Sequence, residues 1–362
     1  MTKIITDSNS FVIAPLIYKM NYKRKLLSGA LTLFTIYGMQ AEGGSNAYSF
    51  LEIPESAQAF ALGGTNISCI GSDLSMIDQN PALLGQETEA QMGLSYMRYL
   101  GSSNFAGGKY GMGTGNRGAW AVGFRFLDYG TMQGYDEYGT ATGEFRPLDF
   151  VLDGMYSYDF TDRLRGGITM KFVYSHYEQY EAVALATDLG LNYYNPDKDL
   201  SLSLVLKNMG GQLKRFRDHY DHLPFDLQLG YTQRLGESPF LLNLTATHLY
   251  KWKLPYYTHN VDEGIDNMEL KSNFVSNFMR HLIIGIKYSP TDNDRFYIAA
   301  AYNHKTRTDM GTYQRNFVSG FSAGIGFNVK AWGVSVAYAM PHKKGSSIML
   351  NLALNIAEVL PQ

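Results

Sequence analysis

The run S-I-M-L-N-L-A-L-N-I (347–356) alternates without a break. Ile348, Leu350, Leu352, Leu354 and Ile356 fall on one side. Ser347, Met349, Asn351, Ala353 and Asn355 fall on the other. A period of two is that of a β-strand with one apolar and one polar or small face. The preceding segments repeat it. Trp332, Val334, Val336 and Tyr338 oppose Gly333, Ser335, Ala337 and Ala339, and Phe321, Ala323, Ile325 and Phe327 oppose Gly320, Ser322, Gly324 and Gly326. Upstream, Ile168, Met170, Phe172 and Tyr174 oppose Gly167, Thr169 and Lys171. Val183, Leu185, Leu189 and Leu191 oppose Ala184, Asp188 and Asn192. Leu200 to Leu206 oppose Ser201, Ser203 and Lys207, and Phe225 to Tyr231 oppose Asp226, Gln228 and Gly230.

Two architectures give such a pattern. A soluble sandwich buries the apolar face in its core. A transmembrane barrel turns it to lipid and keeps the small or polar face for the lumen. The position of charge favours the barrel. Arg125, Asp153, Lys171, Asp188, Lys207, Asp226 and Lys287 all lie on the small face, where a polar lumen tolerates them and hydrocarbon would not. Aromatics gather near strand ends (Tyr156, Tyr158, Phe160, Tyr174, Tyr231, Tyr250, Trp252, Tyr288, Tyr302, Tyr338) like two interfacial girdles.

Connection lengths agree. About 14 strands fit between residues 91 and 356, an even number as bacterial barrels require. Turn-like joins occur at 113–117, 160–163, 195–198, 236–239, 290–294 and 330–333. The longer joins, 127–148, 208–223, 251–280 and 304–315, all fall on the opposite side. Short periplasmic turns and long external loops are the outer-membrane pattern, with both termini on the periplasmic side.

Composition excludes other classes. The chain has 362 residues, 45% hydrophobic and 18% charged, with Tyr 27, Phe 20, Trp 3 and Gly 37. So many aromatics and so little net charge exclude a disordered chain. A net charge of -2 gives no basic footprint for nucleic acid. One cysteine excludes a disulfide scaffold.

The N-terminus reads as a leader. Lys23, Arg24 and Lys25 precede the apolar run Leu26–Met39, and Met39-Gln40-Ala41 forms a small-residue cleavage site. Residues 1–41 are therefore assigned to an N-terminal extension and signal peptide, with Met20 the expected start. Residues 42–90 do not alternate. They read as a compact Gly-rich plug with one short helix starting near Asp73, and residues 91–362 as the barrel.

The run S-A-Q-A-F-A-L-G-G-T-N-I-S (56–68), followed by Q-N-P-A-L-L (79–84), resembles the N-terminal signature of the FadL-like outer-membrane proteins. Within these the chain is most similar to the PorV/PorQ group of the type IX secretion system of Bacteroidetes. Asp128-Tyr129-Gly130, Asp136, Gly139 and Gly143-Glu144-Phe145 resemble that group's first long loop. The resemblance implies a 14-stranded barrel with an N-terminal plug. It also implies a non-catalytic anchor in the surface attachment complex, with PorU, PorV and PorZ as partners beside outer-membrane lipopolysaccharide.

A search for chemistry returns little. No G-x-S-x-G, H-E-x-x-H, P-loop or dinucleotide fingerprint is present. No catalytic, cofactor or metal residue is assigned. His219 and His222 beside Asp218 and Asp221 read as loop composition, and Cys69 as a packed plug residue without an activating base. Asp153 and Asp188 are expected to pair with Lys171 or Lys207. Lys214, Arg215 and Arg217 make a basic cluster in an external loop that lipopolysaccharide phosphates or water would suit equally. Loop 251–280 is the first candidate for protein contacts; it holds Trp252, Tyr256 and Tyr257 with the acids Asp262, Glu263, Asp266 and Glu269.

Three functions remain: a docking barrel, a FadL-like transporter of hydrophobic small molecules, and a rim hydrolase. The transporter requires a pocket between plug and wall and a lateral opening, for which a kink at Gly107-Gly108 is the expected place.

Overall fold

The structure is a computed structural model. It describes residues 48–359, apart from 72, 89, 100, 137, 217–219, 260–267, 292–294, 310–317, 330 and 343–344. The leader assigned to 20–41 lies outside the described residues.

Strict alternation produces the wall. Among the described residues, fourteen strands close one barrel. They are β1 (Gln91–Arg98), β2 (Asn104–Gly113), β3 (Gly118–Asp128), β4 (Leu148–Thr161), β5 (Leu164–Tyr177), β6 (Tyr180–Asn195) and β7 (Leu200–Lys214), then β8 (Asp226–Arg234), β9 (Phe240–Ala246), β10 (Leu282–Tyr288), β11 (Phe296–Asn303), β12 (Phe321–Val329), β13 (Trp332–His342) and β14 (Gly345–Asn355). Each pairs antiparallel with its neighbours in sequence, and β1 closes on β14 from Gln91↔Asn355 to Arg98↔Ile348. Closure leaves no open sheet edge.

The wall is inside out relative to a soluble core. Ile348, Leu350, Val336, Ile325, Leu204, Leu189 and Phe124 are exposed on the outer surface. Ser347, Asn351, Ser335, Ser203, Asp188 and Arg125 are buried within. A sandwich would bury the first set. Every charge expected on the small face is buried here: Arg125, Asp153, Lys171, Asp188, Lys207, Asp226 and Lys287. No helix among the described residues is long and apolar enough to cross a membrane.

The lumen is filled by the chain's own N-terminal part. Its α-helix is α1 (Ala57–Ala61), capped by Ser56, whose hydroxyl accepts from the Gln58 and Ala59 amides. Ala has the highest helix propensity, which the A-Q-A-F-A run exploits. The short helix expected near Asp73 is present as a 3-10 segment, Leu74–Asp78, with Asp73 as its cap; a second one covers Pro81–Leu83. The buried core lies between this segment and the inner wall.

The expected position of the N-terminal part needs correction. β1 starts at the end of the barrel that carries the short turns, and β14 finishes there. Tyr48 sits at the opposite, loop end, where Gln212 Nε2 donates to its hydroxyl at 2.7 Å and Phe216 stacks on its ring. The segment thus runs down the lumen before the wall begins. Strand parity counts wall crossings only and does not see this one.

The long joins carry structure of their own. Met132–Tyr135 pairs with Ala141–Phe145, and Tyr256–His259 with Met268–Lys271. Helix α2 (Phe274–His281) leads straight into β10, and α3 (His304–Asp309) follows β11. The join expected at 208–223 starts later, because β7 continues to Lys214. Alternation breaks at 208 because a bulge opposite Asp188 leaves Lys207 and Asn208 both buried on the inner side.

Candidate functional site

The plug is fixed to the wall by polar contacts on all sides. Asn351 Oδ1 accepts from the Ala57 amide at 2.7 Å, and its Nδ2 donates to the Glu55 carbonyl at 2.9 Å. Ser322 donates to the Ala61 carbonyl. Asn66 donates to Asn243, Ser68 bonds Thr232 at 2.8 Å, and Ser157 donates to the Leu84 carbonyl at 2.7 Å.

The Q-N-P-A-L-L element has a clear physical role. Asn80 is fully buried. Its Oδ1 accepts from the Ala82 amide and its Nδ2 donates to the Ile67 carbonyl, both at 2.9 Å. One side chain thereby caps the last 3-10 turn and ties it to residue 67. Pro81 supplies the preset φ at the first helical position. The wall makes room with glycine: a Cβ on Gly167 would run into the Pro81 carbonyl group, and one on Gly190 into the Asn80 side chain.

At mid-lumen the plug and wall meet through charge. Glu55 Oε2 lies 3.0 Å from Lys109 Nζ, and Glu55 Oε1 lies 2.9 Å from Arg125 Nε. Lys109 also reaches Asp153 at 3.1 Å, and Arg125 Nη1 reaches Asp78 at 3.1 Å. All five side chains are almost wholly buried. Lys207 Nζ donates to the Asp78 carbonyl at 3.3 Å. Three carboxyls thus share two close cations. Burial pushes the Glu55 carboxyl up to about 8 in spite of Lys109 beside it. Burial also acts on Asp78, but Arg125, Lys207 and Lys109 outweigh it and hold that carboxyl below the usual carboxylate range.

The expected lumen pairs form in part. Asp188 pairs with Lys171 at 2.6 Å. Asp153 does not pair with its cross-strand neighbour Lys171; it turns to Lys109. Lys109, Glu55, Asp78 and Asn80 were missed as partners. Lys109 lies on the weakly alternating β2, and nothing in the sequence joins the plug carboxyls to wall cations 54 and 47 positions later, Lys109 and Arg125.

The kink expected at Gly107-Gly108 is not there. Both residues stay in continuous register, Gly107 opposite Ser95 and Arg125, Gly108 opposite Leu94 and Phe124. A Cβ on Gly107 would meet Ser95 Oγ at 2.8 Å and Glu55 Cδ at 3.3 Å, and one on Gly108 the Phe124 ring at 2.9 Å. These glycines serve close approach, not a break in the wall. The wall's irregularity near mid-height lies between β6 and β7, where Lys207 and Asn208 oppose Asp188. Asn208 has φ +55° and its amide donates to Asp188 Oδ1 at 2.7 Å, so the bulge is closed by hydrogen bonds.

Above the ionic layer, at the loop end, is a cavity of about 460 Å³. The plug gives it Phe50, Ile53, Pro54 and Phe60; the wall gives Leu127, Ile283, Phe321, Ala339 and, on the polar side, Lys207 and Gln228. Tyr99, Tyr129, His248 and Lys305 line it from the loop side. Burial pushes His248 down to about 3, so it is neutral. Phe216, stacked between Tyr48 and Tyr177, pins the β7–β8 join over the same end. Tyr129, Tyr177 and Ser175 all donate to Asp149 there.

The remaining sequence candidates are placed plainly. Cys69 is buried in the plug, with Gln58 Nε2 donating to its sulphur at 3.1 Å. Lys214 pairs with Glu181 at 2.7 Å, and Arg215 sits over the Tyr220 ring. Arg217, Asp218, His219, Asp262, Glu263 and Asp266 lie outside the described residues. Among the described residues no group of three or more His, Cys, Asp or Glu could hold a metal ion.

Neither a protein-family profile nor a curated protein matches the sequence. Solved structures do match the fold. A TodX monoaromatic hydrocarbon channel carrying the deltaS2S3 mutation is 12% identical with TM-score 0.53, over 82% of this chain and 97% of that one. The shared fold is a closed transmembrane β-barrel, here of 14 antiparallel strands. The Pseudomonas putida toluene transporter TodX is 13% identical with TM-score 0.50, over 84% and 97%. A Pseudomonas aeruginosa FadL homologue is 11% identical with TM-score 0.46, over 83% and 98%. The two TodX matches are named as a monoaromatic hydrocarbon channel and a toluene transporter; what they share with this chain is the barrel fold.

Proposed function

We propose that this chain is a non-enzymatic outer-membrane barrel that captures a small hydrophobic molecule at its loop end and releases it past the plug. The leader at 20–41 exports it, and the loop end faces outward. The observation that carries this reading is the cavity between plug and wall, lined by Phe50, Ile53, Phe60, Leu127 and Phe321. Its volume lies in the range that suits a small ligand. The TodX proteins, named for monoaromatic hydrocarbons and toluene, share the fold, which supports the same class of cargo. The ionic layer below the cavity makes passage depend on movement of the plug.

The test is binding of an apolar fluorescent probe such as N-phenylnaphthylamine to the purified barrel. Ala339 lines the cavity, and Ala339→Phe places a phenyl ring in it. Saturable binding that weakens at least tenfold in this variant supports capture. Binding unaffected by it removes the cavity from the account.

A second reading is favoured by the unbroken register at Gly107-Gly108 and the ion pairs that tie the plug to the wall at mid-lumen. A barrel that conducts nothing fits a docking subunit of the type IX attachment complex, holding PorU, PorV and PorZ at the surface. The 56–84 resemblance supports it. Co-purification of such partners in fixed proportion would move this reading ahead.

A further inference from the structure

Helix α2 is amphipathic the wrong way round for a soluble loop. Asn277, Arg280 and His281 are buried, 3–4% exposed, whereas Phe274 and Val275 are 70% exposed and Phe278 49%. At 100° per residue these form two separate arcs, centred about 110° apart. The polar arc is firmly held. Arg280 Nη2 pairs with Asp309 on α3 at 2.6 Å, and its guanidinium lies 4.9 Å over the Tyr256 ring. His281 reaches the Thr247 and Trp252 carbonyls at 2.7 and 3.0 Å. Helix α3 itself lines the lumen cavity through Lys305 and Thr306. The polar arc therefore faces the lumen side, and the apolar arc beside it is left uncovered. Trp252, 48% exposed, extends that arc, its ring 5.7 Å from Phe274.

The neighbouring strands are short. β9 and β10 have seven residues each, against 14 to 16 in β4, β5 and β6. Seven residues at roughly 3.4 Å rise and about 40° tilt cover about 18 Å of membrane height. The apolar band of such barrels is about 25 Å tall. On this side the strands alone fall short of the band by about one helical turn or more. The helix runs directly into β10, whose Ile284 and Ile286 face outward, so its apolar arc continues the same surface.

We propose that the apolar arc of α2, with Trp252, is seated in the outer leaflet of the membrane and completes the lipid-facing band above β9 and β10. Its partner is lipid: acyl chains against Phe274, Val275 and Phe278, and anionic headgroups beside Lys253, which is exposed next to Trp252. The inference rests on the barrel's place in a membrane and not on what its cavity holds.

The test uses the full chain in phosphatidylcholine–phosphatidylglycerol vesicles. Trp120→Phe with Trp332→Phe leaves Trp252 as the lone tryptophan; Trp120→Phe with Trp252→Phe leaves Trp332, which faces outward on β13. Phospholipids brominated near the top of the acyl chain should quench both about twofold, with little quenching by aqueous iodide. A third variant, Phe278→Trp in a background without the native tryptophans, reads α2 itself and should behave alike. If Trp332 is quenched by brominated lipid while Trp252 and the Phe278→Trp probe answer only to iodide, the inference is overturned and the barrel reading stands. If none is quenched by lipid, the membrane reading itself fails. Iodide access in vesicles with shielding restored only in native outer membranes would also overturn it, and would make the face a protein contact.

Discussion

Glu55 on the plug and Lys109 on β2 face each other at 3.0 Å in the middle of the lumen, both nearly inaccessible to water. Lys109 also holds Asp153, and Asp78 holds Arg125; removing one partner of such a buried ion pair leaves a charge without compensation, at a cost of about 3–5 kcal/mol. Lys109→Ala and Asp78→Ala should therefore loosen the plug more than any surface substitution. Expected outcomes are a lower melting temperature in detergent and a larger single-channel conductance in planar bilayers. An unchanged conductance in both variants would mean that the ionic layer does not seal the lumen.

The same layer sets a pH dependence. The Glu55 carboxyl stands at about 8 in the folded protein against 4.5 without its surroundings. Its contribution to stability is present in full below pH 4.5 and is lost as pH rises towards 8. The slope is at most about 1.4 kcal/mol per pH unit. Asp78, held low, contributes in the opposite sense and only at acid pH. Wild-type stability should fall between pH 5 and 9, and Glu55→Gln should flatten that slope. Thermal melts in buffered detergent across this range decide it.

Glycines facing the plug are close contacts. Gly167→Ala should destabilise by about 1–3 kcal/mol, because the added methyl meets the Pro81 carbonyl group. Gly154, with open space where its Cβ would go, is the control and should tolerate Ala. Equal melting temperatures for the two variants would show that the plug does not press on β5.

Asn80→Ala removes a cap and strands the Ile67 carbonyl. The loss should be about 1–3 kcal/mol, visible first as proteolysis between residues 56 and 90 while the wall stays resistant. Proteolysis no faster than in the wild type would deny Asn80 that role.

The wall was legible in the sequence because lipid and lumen impose opposite demands at every second residue. Seven charges from Arg125 to Lys287 could be assigned inward from that period alone. Strand ends are not legible: β7 runs on to Lys214 past the bulge at Lys207–Asn208, which breaks the alternation in mid-strand. Helix α1 gives no signal of its own within the Gly-rich plug segment, because five residues are too few to display a 3.6-residue period. Helix α2 was hidden inside loop 251–280 because its apolar side looks outward, opposite to the usual guide. The candidate site was least legible, since Glu55 and Asp78 find Lys109 and Arg125 only through closure of the whole barrel.

The outer surface makes a further prediction. Leu189 faces outward on β6. Leu189→Lys should cost about 2–4 kcal/mol if it sits near mid-bilayer, read from unfolding in lipid vesicles. On a water-facing surface the same change would cost almost nothing.

The most direct test of the central claim is purification of the intact chain from its native outer membrane in mild detergent, followed by mass spectrometry of everything bound. The account predicts a small hydrophobic molecule in near-equal molar amount, absent from Ala339→Phe. A barrel with no small molecule, held in fixed proportion to large surface proteins, would contradict it and favour docking.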